Sequence, residues 1–142
     1  MRRAAIGAAA AGAAAALALL PAAPADAAGS RFFFTPGPNG ASCEIDVGTP
    51  GLAPSVWCVI EPPQLAARKA VAVRLALTGV VTTCSGLRCV GNAPEHTKTL
   101  AYGRSIRVGA FRCTSLKAGV RCLVAQVGRG FQLSRSGVTR LG

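Results

Sequence analysis

Acidic side chains are scarce in this 142-residue chain: five Asp and Glu stand against sixteen Lys and Arg, a formal net charge of +11. Histidine, tyrosine, tryptophan and methionine occur once each. With so few carboxylates and a single imidazole, His96, there is little from which to assemble a general acid and base or a nucleophile with its activating partner. No C-x-x-C pair occurs, which argues against a redox centre and against a zinc clip, and no G-x-S-x-G elbow marks a hydrolase. Aromatics are few near the basic residues, which disfavours a stacking platform for nucleic acid. These scarcities point to a non-enzymatic protein with no cofactor and no metal.

What the chain does have begins at its N-terminus, MRRAAIGAAAAGAAAALALLPAAPADAAGS. Arg2 and Arg3, the Ala/Leu run from Ala4 to Leu20, and then Pro21 and Pro24 make the three-part layout of a helical secretory signal peptide. The run is mostly alanine and shorter than the ~20 residues of a spanning helix. Ala25 and Ala27 flank Asp26 in an A-x-A pattern, so cleavage is expected after Ala27. The polar flanks of twin-arginine export are missing, and the general secretory route is expected. The chain then divides into a signal peptide, 1–27, and one small monomeric secreted domain, 28–142, with no membrane span of its own.

All six cysteines fall in that domain: Cys43, Cys58, Cys84, Cys89, Cys113 and Cys122. An even number in a short exported chain is read as a disulfide framework, because the compartment is oxidising and a small core gains from staples. Six cysteines allow fifteen pairings. Local pattern favours the simplest, three cross-strand staples: Cys43–Cys58, Cys84–Cys89 and Cys113–Cys122. The segments G-L-R-C-V at 86–90 and G-V-R-C-L at 119–123 share one scheme, and V-W-C-V-I at 56–60 is a looser copy; each has another cysteine shortly upstream.

Proline and glycine punctuate the chain at short intervals, and the runs between them are rich in strand formers. Strands are expected near 31–35, 41–46, 55–61, 87–90, 105–114, 120–127 and 131–134. A further one is expected from about Ala70 to Leu77, where Val71, Val73, Leu75 and Leu77 alternate. The expected fold is all-β: a small disulfide-stapled antiparallel sheet built of hairpins, sandwich or barrel-like.

Several segments carry a resemblance: FTPGPNGASC (34–43), C-V-G-N (89–92), L-A-Y-G-R-S-I-R-V-G (100–109), F-R-C-T-S with G-V-R-C, and G-R-G-F-Q-L-S-R (128–135). Together they resemble a family of small secreted actinobacterial domains of unknown function. The resemblance implies the fold and the export and supplies no catalytic residues. The middle departs from the family pattern, since Cys84 lies only five residues before Cys89, and the central pairing stays open there.

Individual candidates are mostly bland. Glu44 and Asp46 alternate around Ile45 and share a strand face, an arrangement that suits a calcium ion or an acid and base but also suits exposed acids beside basic neighbours. His96 reads as a loop residue. Trp57, beside Cys58, reads as a core or partly buried aromatic, and the G-x-G of GRGF as a turn.

Charge is the signal that stands out. Removing 1–27 takes away Arg2, Arg3 and Asp26, leaving fourteen basic and four acidic side chains. After Glu95 there is no acid at all, while Lys98, Arg104, Arg107, Arg112, Lys117, Arg121, Arg129, Arg135 and Arg140 follow. Arg104, Arg107, Arg112, Arg121, Arg129 and Arg135 are therefore the candidate anion-binding residues. A net charge far from zero also keeps an exported protein soluble without any ligand. Where the charge serves binding, guanidinium forks suit phosphate and carboxylate, and the expected partner is an anionic cell-envelope polymer or lipid surface outside the cell. The alternative is a diffusible inhibitor or effector that presents the stapled loop Thr114–Gly119, centred on Leu116 and Lys117, to a protein partner.

Overall fold

The structure, a computed structural model, describes residues 29–37, 40–60, 70–91 and 97–142. The expected signal peptide, Glu61, Glu95 and His96 lie outside the described residues. Among those residues the chain is all-β, as expected, and no helix is long and apolar enough to cross a membrane.

Two meanders account for the architecture. Strands β1 (Ser30–Phe34), β2 (Ser42–Asp46), β3 (Ser55–Ile60), β4 (Val71–Ala76) and β5 (Val81–Ser85) pair antiparallel with their sequence neighbours, and β6 (Lys98–Thr99) joins the far edge parallel to β1. The second sheet is β7 (Ser105–Val108), β8 (Phe111–Leu116), β9 (Gly119–Val124), β10 (Gly130–Ser134) and β11 (Gly137–Leu141), again in sequence order. Alternation of apolar and polar residues decides which face of each sheet is buried. Phe33, Cys43, Ile45, Val56, Cys58, Val73 and Leu75 from the first sheet meet Phe111, Cys113, Val120, Cys122, Phe131 and Leu133 from the second in one continuous core. The result is a two-layer sandwich in which β10 packs across β3 and β4.

The disulfides pair as expected. Cys43 lies directly opposite Cys58 across β2 and β3, and Cys113 directly opposite Cys122 across β8 and β9. Both pairs have Cα atoms 4.1 Å apart, the close spacing of a non-hydrogen-bonded antiparallel pair, and both point into the core. Each staple therefore locks one hairpin within one sheet. None crosses between the sheets.

The third pair is not a cross-strand staple. An extended run from Cys84 to Cys89 would span about 16 Å, yet the two Cα atoms are 5.7 Å apart. The chain can close that ring only by curling, and Leu87–Cys89 forms a single 3-10 turn where a strand at 87–90 was expected. This turn folds back onto the outer face of the first sheet, where Cys89 packs with Val59 and Ala72 against Trp57 and Cys84.

Other departures have local causes. The run expected as one strand over 105–114 is a hairpin, β7 to β8, because Gly109 adopts φ 55° and turns the chain. The strand expected over 120–127 ends at Val124, which accepts turn hydrogen bonds from Val127 and Gly128. Three strands were not anticipated: β5, β6 and β11. Their sequences, VTTCS, KT and GVTRL, carry few large apolar residues because each lies at or near a sheet edge.

Two of the sequence segments singled out above, the one beginning at Phe34 and the one at 100–109, meet in the fold. Leu100 N–H donates to the Phe34 carbonyl at 2.7 Å, and the Tyr102 hydroxyl donates to the Pro36 carbonyl at 2.9 Å. Gly37, at φ 80°, lies under the Tyr102 ring, and a Cβ there would collide with the phenol oxygen. The β1–β2 and β6–β7 connections thus close one end of the sandwich.

The two kinds of staple should differ in worth. Replacing Cys113 and Cys122 together by Ser should lower the unfolding free energy by about 2.5 kcal/mol from the lost ring closure, and further because two hydroxyls enter the core. The Cys84→Ser/Cys89→Ser variant should lose about 2 kcal/mol or less. Urea titration of the two variants checks this ordering.

Candidate functional site

In β8, Phe111, Cys113 and Ser115 face the core, so Arg112 and Thr114 must face out. In β9 the inward set is Val120, Cys122 and Val124, which turns Arg121 and Leu123 outward; in β7, buried Val108 leaves Arg107 outward. The register then brings these arginines together. Arg107 is directly opposite Arg112, Arg112 is opposite Leu123, and Thr114 is opposite Arg121. Directly opposed Cβ atoms stand about 5 Å apart and diagonal ones about 7–8 Å. Arg112 thus has Arg107 beside it and Arg121 on the diagonal, all three exposed.

Beside them lie Leu123 and uncharged polar groups. Arg121 Nη2 donates to Gln132 Oε1 at 3.1 Å, and the hydroxyls of Ser105 and Thr114, in the same cross-strand row as Arg121, lie 2.8 Å apart. The described acids, Glu44 and Asp46, both belong to β2 in the other sheet. Like charges directly opposite each other destabilise a sheet, and no carboxylate on this one offsets them. An anion lying across the three forks would make charge-assisted hydrogen bonds and remove the repulsion.

The other candidates disperse. Arg104 precedes β7, its carbonyl accepting from Ser115 N–H at 3.0 Å, and Arg135 lies in the β10–β11 turn; both are at the end opposite the β9–β10 turn. Arg129 is in that β9–β10 turn, its stem against Gly79 and Gly142. The stapled segment Thr114–Gly119 is mostly strand: Thr114 to Leu116 complete β8 and Gly119 begins β9, so Lys117 and Ala118 alone form the tip. Sequence reasoning had given no role to Arg140, whose Nη2 donates to the Val81 carbonyl at 3.3 Å and so bridges the two sheets at their edge strands, β11 and β5. Nothing in the local sequence signals this, because the partners are 59 residues apart.

On the outer face of the first sheet the register forms a row of Phe32, Glu44, Trp57 and Arg74. Trp57 is half-buried there, beside Val59, and a shallow groove between Phe32, Ser42, Glu44, Trp57 and Gly91 runs along it. Glu44 and Asp46 do share this face, but Asp46 has a structural task. Its Oδ1 accepts from the amides of Gly48 at 3.2 Å and Thr49 at 3.1 Å, which shapes the start of the β2–β3 connection. Burial pushes its carboxyl pKa up, but the Thr49 amide and hydroxyl, the Gly48 amide and the charge of Arg74 outweigh that and hold it below its ordinary value. Among the described residues no group of three or more metal-ligand side chains comes together.

No protein-family model, no curated protein and no solved structure matches this chain.

Two measurements test these electrostatics. Because the folded pKa of Asp46 is depressed, its stabilisation is complete above the unfolded value of about 3.9 and is lost as pH falls through the folded value. Asp46→Asn should flatten the part of the stability profile below about pH 4; an unchanged acid limb would show that the carboxylate contributes nothing. Replacing Arg112 by Thr should raise the stability of the free protein by about 0.5 kcal/mol at low ionic strength and by less in high salt, where like charges are screened. A stability loss at low salt would mean that the opposed arginines do not repel.

Proposed function

We propose that this is an exported, non-enzymatic binding domain whose basic sheet contacts closely spaced anionic groups, phosphate or carboxylate, of an envelope polymer or lipid surface. One observation carries the reading: Arg107 and Arg112 are placed directly opposite each other, with Arg121 on the diagonal, on a sheet without a carboxylate. Two arginines that repel in the free protein become two forks on one ligand, so a local penalty in the unbound state turns into affinity in the bound state. Export is supported by the N-terminal sequence and by three disulfides in a small domain, which fit an oxidising compartment. The predicted location disfavours nucleic acid as the ligand.

Binding of this kind depends on salt, since each basic group that engages a polyanion displaces counterions. On an immobilised phosphate polymer, Arg107→Gln/Arg112→Gln/Arg121→Gln should elute at lower salt, with the slope of log affinity against log salt reduced by about two to three. Substituting Leu116, the last residue of β8, and Lys117 in the tip should leave the slope within about one unit of the parent, since at most one phosphate contact is removed. Equal retention of the triple variant and the parent protein would refute the proposal; loss of retention only on changing the tip would favour the stapled-loop reading instead.

A further inference from the structure

Four connections emerge at one end of the sandwich: β2–β3 (47–54), β4–β5 (77–80), β7–β8 (109–110) and β9–β10 (125–129). They touch one another across the two sheets. A Cβ on Gly109 would meet Val47 at 3.3 Å, and one on Gly79 would meet Arg129 at 2.8 Å. Single exposed aliphatics are ordinary on any surface, but here they gather. Leu52 is 59% exposed, Leu77 46%, Val80 58% and Val127 57%, and all four stand on these connections. Of the other large exposed apolar residues, Leu87 is held in the disulfide ring on the first sheet's outer face, and Phe34 and Tyr102 flank the opposite end.

Apart from Asp46, the described charged side chains around this end are basic. Arg129 shares a turn with Val127, and Arg107 and Arg112 each lie two residues back from the β7–β8 turn, about 7 Å, within reach of their side chains. The one described acid nearby, Asp46, is turned onto the Gly48 and Thr49 amides. Aliphatic tips within a basic collar match the two layers of a bilayer interface, acyl chains below and anionic headgroups above, and neither signal alone anchors a protein stably.

We propose that this end docks on an anionic lipid bilayer, with Leu52, Leu77, Val80 and Val127 entering the headgroup–acyl boundary and Arg129, Arg107 and Arg112 meeting the headgroups. The proposal rests on the polyanion reading of the basic sheet and adds to it the ligand's source and the orientation of the domain. Arg121, about 10 Å back along β9 from Val124, contributes less to lipid than to a soluble polyanion.

The test uses the disulfide-bonded protein recovered from its host after export, so that any processing of residues 1–27 is the natural one. Co-sedimentation is measured with vesicles of phosphatidylglycerol in phosphatidylcholine and with phosphatidylcholine alone, and soluble inorganic polyphosphate serves as an anion without a bilayer. The parent protein should bind the anionic vesicles and not the neutral ones. Leu52→Ser/Val80→Ser/Val127→Ser should reduce vesicle partitioning by roughly tenfold or more and leave polyphosphate binding unchanged; the three positions are exposed, so folding is retained. A Val127→Trp variant should add a blue-shifted emission on anionic vesicles that brominated acyl chains quench. Vesicle binding by the Ser variant equal to the parent's, or polyphosphate binding without vesicle binding, overturns the docking proposal and leaves the polyanion reading standing. Vesicle binding that needs the aliphatic tips, with no affinity for polyphosphate and no effect of the three arginine substitutions, supports insertion of the tips but refutes the arginine face and, with it, the headgroup contacts of Arg107 and Arg112.

Discussion

One layer of interdigitated side chains holds the two sheets together. Phe33, Ile45, Val56 and Leu75 reach in from one side and Phe111, Val120, Phe131 and Leu133 from the other, all essentially excluded from solvent. No disulfide joins the sheets, and the Arg140 contact with Val81 lies at one edge. Burial of these side chains therefore supplies the association of the layers, while the Cys43–Cys58 and Cys113–Cys122 bonds each fix the register within a layer. Register is the more consequential of the two effects for the surface. A slip of one residue in β8 would turn Arg112 into the core and Phe111 out to solvent, so the staple that secures the hairpin also secures the arginine face.

The same alternation gives the two outer faces different chemistry. Over the first sheet, the disulfide ring lays a small apolar cluster on Val59, Ala72 and Trp57, with the described acids close by. Over the second sheet there is no such cover and no acid. Cross-strand repulsion between Arg107 and Arg112 can persist there because the buried side of those strands is strongly stabilised: Val108 and Phe111, the next pair along, are both buried. A penalty of a few tenths of a kcal/mol on an exposed pair is small beside the burial of an aromatic core side chain. Stability concentrated inside leaves the surface free to carry a charge pattern that is unfavourable in the free protein.

Much of the fold was legible in residues alone because β-structure with short turns is written locally. The alternation of Val71, Val73 and Leu75 gave β4, and the repeated pattern around the cysteines gave the three pairings. The misreadings were local too. A glycine inside an apolar run, Gly109, looked like part of a strand but turned the chain, and a five-residue cysteine spacing looked like a hairpin but was too short to close around extended backbone. Edge strands such as β11 and β5 are not legible in the pattern, since an edge exposes more of its side chains and so carries a weaker apolar alternation.

By itself, the sequence determined the class of molecule: a basic, acid-poor, three-disulfide β domain. Composition, turn chemistry and cysteine spacing are properties of neighbours along the chain, and they needed no third dimension. Only the tertiary structure decided which of six candidate arginines converge, because that depends on strand order and register. It brought Arg107, Arg112 and Arg121 onto one face, sent Arg104 and Arg135 to one end, and set Arg129 at the other. It likewise gathered Leu52, Leu77, Val80 and Val127, which lie up to 75 residues apart, because antiparallel meanders return every second turn to the same end of a sandwich.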